Sequence, residues 1–331
     1  MAGVQDHRLA VAVSNAGGLG SLPGAMLSLD VLKAELTQLS AKTDKNYNVN
    51  FFCHTPPLFS EAREATWRTA LKPFYDELGL DLNNIPSGPG RTPFTHETAD
   101  VLEAFRPPVV SFHFGLPAAD LLARVRGWGS KIISSATTLQ EALWLESQGV
   151  DAVIAQGLEA GGHRGHFLDH DLTHQMGTFA LLPHIVQAVK IPVIAAGGIA
   201  DAAGVKAALA LGAAAVQVGT AYLLCDEATT SPVHRAALKS ANARHTALTN
   251  LFTGRPARGI VNRLMRELNE GGGAISSKAP EFPLATGAIA PLRAAAEKAG
   301  SGDFSPLWSG QNVTGCREIG AAALTLSLGM R

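Results

Sequence analysis

The densest run of chemically able residues in the chain is Gln156-Gly-Leu-Glu-Ala-Gly-Gly-His-Arg-Gly165. An imidazole titrates near neutral pH, so His163 can take a proton from an acidic C–H or hydrogen-bond an anionic substrate. Gly161 and Gly162 lack a Cβ and let the backbone fold close to a flat ring. Gln156 offers its amide to a ring edge or to a substrate oxygen. His113, in Ser111-Phe-His-Phe-Gly115, ends a strand that opens on the same mouth, where it reads either as a substrate contact or as a hydrogen-bonded core histidine. His163, His166, Asp169, His170, Asp171 and His174 crowd one stretch, but their spacing matches no zinc or iron pattern, and no metal is expected.

A second group of residues suits a phosphate. Ile191-Pro-Val-Ile-Ala-Ala-Gly-Gly-Ile199 and Ala214-Ala-Val-Gln-Val-Gly-Thr220 each place glycine at the end of an apolar run. Bare N–H groups at Gly197, Gly198 and Gly219 can face an anion, and Thr220 adds a hydroxyl. In barrels of alternating strands and helices, phosphate sits in the loops after strands 7 and 8. This arrangement does not by itself distinguish a flavin nucleotide from a sugar phosphate. Asn50, in Tyr47-Asn-Val-Asn-Phe51, offers an amide to a ring carbonyl or a cap to the next helix. Ser309-Gly310-Gln311 reads as a segment that closes over the ring. Glu159 reads as a solvated loop charge, and Arg255, Arg258 and Arg263 read as surface cations in preference to an anion site.

These residues need a scaffold, and the apolar pattern supplies one. Short runs over Leu19–Leu22, Val49–Phe52, Val109–Phe114, Lys131–Ser134, Ala152–Ala155, Val193–Ala196 and Ala215–Val218 read as strands apolar almost throughout. Between them, Ser28–Lys42, Ala118–Trp128, Leu139–Gln148, Thr178–Val189 and Ala202–Leu211 carry helical periodicity, which makes repeated βα units. The expected fold is α/β, a (β/α)₈ TIM barrel. Its first strand is missing from the pattern, because Asp6–Asn15 reads as a barrel helix with no strand before it. After Val218, residues 230 to 270 read as helical and polar. Gly271-Gly272-Gly273, a loop with Pro280 and Pro283, and a helix around Pro291–Ala299 follow. The division is a barrel core over 1–225, a helical lobe at its mouth over 226–290 and a helical closure over 291–331.

Composition narrows the class. Hydrophobic residues at 46% against 17% charged allow a large core and argue against disorder. A net charge of −1 with no basic run gives no footprint for nucleic acid or an anionic membrane. No apolar run approaches the ~20 residues of a membrane helix. Cys53, Cys225 and Cys316 are odd in number and far apart, as in a reduced cytoplasmic protein. A homodimer is compatible with the sequence.

Taken together, the segments resemble the nitronate monooxygenase family, formerly the 2-nitropropane dioxygenases. The matching stretches are Ser14-Asn-Ala-Gly-Gly-Leu-Gly-Ser21, Asn48-Val-Asn-Phe51, the Gln156–Gly165 loop, Ala195-Ala-Gly-Gly-Ile-Ala-Asp201, Gln217-Val-Gly-Thr220, Gly254-Arg-Pro-Ala-Arg-Gly259 and Leu307-Trp-Ser-Gly-Gln311. The resemblance implies an FMN-containing barrel that oxidises alkyl nitronates such as propionate 3-nitronate with O₂. Carbonyl compound and nitrite would be the products, formed by way of a flavin semiquinone, and the role would be detoxification. It implies His163 as the catalytic residue and FMN contacts at Asn50, Gln156, Gly161, Gly198, Gln217, Gly219, Thr220 and Gln311, beside the backbone sites already read at Gly162 and Gly197. It also implies a strand ending in Ala-Pro-Met, of which Met1 would be the last residue. Some family members line the substrate site with late tyrosines, whereas the tyrosines here, Tyr47, Tyr75 and Tyr222, leave none after Tyr222.

Three other readings share the scaffold. FMN-dependent NAD(P)H enoyl-acyl carrier protein reductases have the same Gly-Gly-His and phosphate loops. An NADH:quinone reductase needs no separate nucleotide fingerprint. A non-catalytic FMN-binding module would keep the phosphate loops without turnover. Gln156 before the loop and Arg164-Gly165 after His163 look more like the nitronate group.

Overall fold

Side chains two apart on a strand share a face, and along this chain the two faces differ in chemistry. The structure, a computed structural model, describes residues 1–85, 91–268 and 275–329. Its strands are β1 Gly20–Pro23, β2 Tyr47–Phe52, β3 Val109–His113, β4 Lys131–Ala136, β5 Ala152–Gln156, β6 Gly162–His163, β7 Val193–Ala196, β8 Ala215–Gln217, β9 Thr246–Thr249 and β10 Ala257–Ile260. Val49, Phe51, Val110, Phe112, Val153 and Val193 turn outward into the main core. Their neighbours Asn48, Asn50, Ser111, His113, Ile154 and Gln156 border a cavity of about 1050 Å³. The strands that read as apolar throughout therefore have one apolar face and one mixed face, where Ile133, Ile154 and Ile194 alternate with the polar side chains.

Seven strands pair in parallel in the order β1-β2-β3-β4-β5-β7-β8. Ser21 of β1 and Gln217 of β8 line the same cavity as residues of every strand between them, so the sheet curls into a TIM-barrel-like wall. All seven are the strands expected from the apolar runs. β1 and β8 are its edges. Residues 1–5 lie between those edges: Gln5 Nε2 donates to the Ser21 carbonyl, Thr229 N donates to the Val4 carbonyl at 2.9 Å, and a Cβ on Gly219 would meet Met1.

The helices are α1 His7–Asn15, α2 Leu29–Lys42, α3 Glu61–Glu77, α4 His96–Glu103, α5 Ala119–Gly127, α6 Leu139–Ser147, α7 Thr178–Ala188, α8 Ala202–Ala210, α9 Pro232–Lys239, α10 Arg263–Glu267, α11 Thr286–Lys298 and α12 Ala321–Leu328. Ser28, Thr138 and Asp201 accept from N–H groups in the first turns of α2, α6 and α8, which starts each barrel helix close behind its strand. No described helix is long and apolar enough to cross a membrane.

A second core sits over the mouth. Trp67, Leu71 and Tyr75 of α3 pack with Phe252, Ile289 and Leu292. Trp67 Nε1 donates to the Ala285 carbonyl at 3.3 Å and Tyr75 Oη to that of Ala288 at 2.6 Å. The lobe thus draws on the β2–β3 connection as well as on the later chain. The helical reading of 230–270 needs correction: it contains α9 and α10, but also β9 and β10, which join β6 in an antiparallel sheet of order β6-β10-β9. These strands are short and interrupted by arginine, glycine and threonine, so their periodicity is too brief to see in the sequence. The Gly271–Gly273 run lies outside the described residues.

Candidate active site

β5 delivers Gln156 to the mouth, and the chain turns through Gly157 into β6, which carries His163. The Gln156 amide is occupied within this loop: Nε2 donates to the His163 carbonyl at 2.9 Å and Oε1 accepts from Gly165 N at 2.7 Å. Arg164 is fully buried and donates to the carbonyls of Gln156 and Gly157 and to Gln175 Oε1, each at 2.8 Å. Glu141, also fully buried, accepts from Phe167 N at 2.5 Å and from Thr137 N at 2.7 Å. β10 closes the outside by pairing Ala257 with His163. A loop held at this many points fixes its imidazole without help from a ligand.

Four aromatic rings surround that imidazole. Phe282, Trp308, Phe114 and Phe52 have centroids 5.3, 5.5, 5.9 and 6.2 Å from that of His163. Phe114 holds a left-handed φ of 71°, unusual for a bulky residue. Burial in this cage pulls the His163 pKa well below the usual imidazole value, and the Arg91 charge acts in the same direction. His163 is therefore neutral at pH 7. Its Nε2 lies 2.9 Å from Thr253 Oγ1. Among the described residues only Nε2 of the ring has a hydrogen-bond partner, and His163 lines the cavity.

His113 lines the cavity too, but both ring nitrogens are engaged. Nε2 is 3.2 Å from the His163 carbonyl, which only accepts, so the proton sits there and Nδ1 accepts from Ser135 Oγ at 3.1 Å. Burial, helped by Arg255, lowers its pKa to about 3. His113 thus holds the His163 backbone. At the cavity floor Asn48 Nδ2 donates to Ser21 Oγ and Ser111 Oγ, and Ser111 Oγ donates to Asn50 Oδ1 at 2.7 Å. The Asn50 NH₂ and the buried, unpartnered Asn48 Oδ1 remain for a ligand.

On the other side of the mouth are the loops after β7 and β8. Gly197 and Gly198 adopt φ of 119° and 73°, which L side chains rarely take. A 3₁₀ turn over Thr220–Leu224 begins at Gly219 with no side-chain cap, leaving its first N–H groups for an anion. The segment after Trp308 ties these loops to the histidine loop. Gly310 N donates to Thr220 Oγ1 at 2.9 Å, Gln311 N to the Glu159 carbonyl at 3.0 Å, and Asn312 Nδ2 to the Gly198 carbonyl at 2.9 Å. The structure brings Asn50, His113, Gln156, Gly161, Gly162 and His163 to one cavity with Gly197, Gly198, Gln217, Gly219 and Thr220. Gln311 is exposed and does not line it; Asn312 does.

The comparisons with known proteins agree with this geometry. The family model for nitronate monooxygenase matches residues 1–328. A nitronate monooxygenase of Pseudomonas aeruginosa is 41% identical over 332 residues, covering 99% of this chain and 93% of that protein. One from Paraburkholderia phytofirmans is 40% identical, covering 99% and 89%. The chain belongs to the nitronate monooxygenase family. Its fold is shared with the nitroalkane oxidase from Streptomyces ansochromogenes, at 38% identity and a TM-score of 0.89, covering 99% of this chain and 92% of that one. FabK from Thermotoga maritima follows at 28% identity and 0.70, covering 99% and 89%. The family is enzymatic, and its members are oxidoreductases that act on nitronates.

Within this family member, several site residues had no signal in the sequence. Thr253 and Phe282, with Trp308 of the Leu307–Gln311 stretch, reach His163 from the distant lobe. Arg91 lies over the Phe282 ring at 5.8 Å and lines the cavity. Of the three arginines read as surface cations, only Arg263 fits, pairing with Glu77 and Glu267. Arg255 is stacked 4.1 Å from the Phe114 ring centroid, and Arg258 is buried with Nε donating to the Leu158 carbonyl at 2.8 Å. Glu159 is not a free loop charge: it accepts from Thr178 N and Oγ1 at the start of α7, at 2.8 Å each. The histidines and aspartates of 163–174 do not converge. His174 pairs with Asp169 at 2.5 Å, and His166 and His170 meet edge to face.

Proposed function

We propose that the chain binds FMN, with the phosphate on the loops after β7 and β8, and oxidises alkyl nitronates with O₂ to a carbonyl compound and nitrite. The observation that carries this reading is the meeting, in one cavity, of an uncapped glycine–threonine turn with a neutral, aromatic-caged histidine. The residues fit the cofactor. Gly197, Gly198, Gly219 and Thr220 suit its phosphate, and the free Asn50 amide and Asn48 Oδ1 suit the polar edge of its ring. FMN, when bound, supplies the one- and two-electron chemistry that no side chain here can.

The protein's part is binding, orientation and exclusion of water. With the His163 proton on Nε2, that N–H donates to Thr253 Oγ1, whose hydroxyl faces the Arg255 carbonyl at 3.4 Å. This leaves the Nδ1 lone pair toward the substrate. There it removes the α-proton of a neutral nitroalkane; a preformed nitronate needs only to be held. The cage of Phe52, Phe114, Phe282 and Trp308 keeps water from the reacting carbon. A nitronate-scavenging, detoxifying role follows from that chemistry.

The test is to identify the flavin released from the purified protein, then assay nitrite formation and O₂ uptake with propionate 3-nitronate. FMN together with nitrite supports the reading. Bleaching by NADH with no nitrite would replace it with the reductase reading. Bound FMN with neither activity would leave a binding module.

A further inference from the structure

Four residues with full charges border the cavity: Arg91, Glu159, Arg293 and Glu297. Three are already satisfied. Glu159 accepts from Thr178, and Arg293 Nε pairs with Glu297 Oε1 at 2.8 Å. Arg91 is different. Its recorded partner is the neutral Thr286 Oγ1, reached by one nitrogen at 2.6 Å, and among the described residues it has no carboxylate. A guanidinium carries five donors in a fixed fork, and a part-buried one without an anion is costly to keep. The Arg91 side chain meets Phe282 and Thr286, whereas Gly198 and Thr220 of the phosphate loops are tied to Asn312 and Gly310.

Arg91 is also placed close to the reacting position. It lies 5.8 Å from the centroid of Phe282, the same ring whose centroid is 5.3 Å from that of His163. Thr286, on α11, anchors one end of the fork, and Arg91 lines the cavity. The neighbouring Arg255 does not compete, because it is stacked on Phe114, donates to the His166 carbonyl and does not line the cavity.

We propose that Arg91 is the specificity residue of this site, and that its guanidinium binds a second anionic group, a carboxylate, on the far end of a nitronate substrate. The proposal rests on the nitronate reading above. A carboxylate matches the fork bidentately, and Arg91 and His163 lie 5.8 and 5.3 Å from the Phe282 ring centroid, a span that one small dianion can bridge. A plain alkyl nitronate has no second anionic group for Arg91 to bind.

The experiment compares two substrates that differ only in a carboxylate replacing a methyl group, propionate 3-nitronate and propyl-1-nitronate. The flavin-loaded wild type, Arg91→Gln and Arg91→Lys are assayed. Arg91→Gln is expected to lower the ratio of kcat/KM values, propionate 3-nitronate over propyl-1-nitronate, about 50-fold, mostly through KM. Arg91→Lys should recover part of the ratio, since it keeps the charge without the fork. Equal loss on both substrates, or no loss on either, overturns the proposal. If Arg91→Gln does not fold, the Arg91→Lys ratio decides, and an unchanged ratio overturns it. Should the wild type turn over neither nitronate, the functional reading fails separately. The carboxylate site is then tested alone by thermal unfolding with 3-nitropropionate against 1-nitropropane. A rise in Tm with the former, lost in Arg91→Gln, supports the site, and no rise overturns it.

Discussion

His163 Nε2 and Thr253 Oγ1 meet at 2.9 Å although 90 residues separate them in the chain. The contact decides which nitrogen of the imidazole faces the substrate, because the other is already taken. Thr253→Val removes the hydroxyl at nearly constant shape. The expected result is a fall of about tenfold in kcat on a neutral nitroalkane with little change in KM, the size of one buried hydrogen bond. Thr253→Ser should stay near wild type. Steady-state kinetics on nitroethane and its nitronate check this. An equal loss on both would mean that Thr253 shapes the loop rather than orienting the base.

The histidine itself separates two roles. With His163→Ala, FMN should remain bound, since the phosphate loops do not depend on the imidazole. Activity on a neutral nitroalkane should fall by roughly 10² to 10⁴, the range for loss of a general base, and activity on a preformed nitronate by much less. Parallel assays with both substrate forms check it, and equal losses would remove the proton-transfer role.

Much of this was legible in the chain. The seven strands follow from short apolar runs between helical ones, and the glycine positions at Gly161, Gly197, Gly198 and Gly219 follow from what bare backbone can do near an anion. What was not legible is the aromatic and basic half of the site. Thr253, Phe282 and Arg91 are ordinary residues in sequence, and their meaning comes from the lobe that α3 and residues 246–308 build over the mouth. Arg255 and Arg258 read as surface charges because burial of a guanidinium depends on stacking partners and carbonyls that no local pattern announces.

Several buried histidines make stability pH-dependent with a definite sign. Burial lowers His54 and His234 to about 4 and His113 and His166 to about 3. In the unfolded chain each titrates near its ordinary 6.5. Their neutral forms favour the folded state, so the contribution is fully present above pH 6.5 and is lost as pH falls toward the folded values. Each should cost about 1 kcal/mol by about one pH unit below 6.5. Thermal unfolding should show a flat Tm from pH 7 to 8 and a steady fall from 6.5 to 5. A Tm that rose on acidification would contradict the burial assigned to these rings.

Arg164 holds the loop by three neutral acceptors and no carboxylate. Arg164→Met fills the space but strands the Gln156 carbonyl and Gln175 Oε1, which it now satisfies, while the Gly157 carbonyl keeps its bond from Ala160 N at 3.1 Å. Stranded buried acceptors cost about 1–3 kcal/mol each, so a loss of roughly 2 kcal/mol or more is expected in denaturant unfolding, with activity falling as His163 loses its fixed position. A loss near zero would show that water reaches those carbonyls.

Gly310 couples the two halves of the site. A Cβ there would lie 2.8 Å from the Glu159 carbonyl oxygen and 3.2 Å from Thr220 Oγ1. Gly161 faces it, and a Cβ on Gly161 would come within 2.4 Å of Gly310 N. Backbone on both sides cannot give way as a flexible side chain would, so Gly310→Ala must push the segment off Thr220 and break the 2.9 Å hydrogen bond from Gly310 N. Thr220 is a proposed phosphate ligand, whereas the Arg164 and Gln156 contacts that hold His163 lie elsewhere. The expected outcome is therefore weaker retention of FMN, by about tenfold in Kd for one displaced contact, with kcat of the flavin-saturated enzyme nearly unchanged. Flavin titration by fluorescence and turnover at saturating FMN measure the two separately. A collapse of kcat with normal flavin affinity would place the role of Gly310 on the histidine side instead.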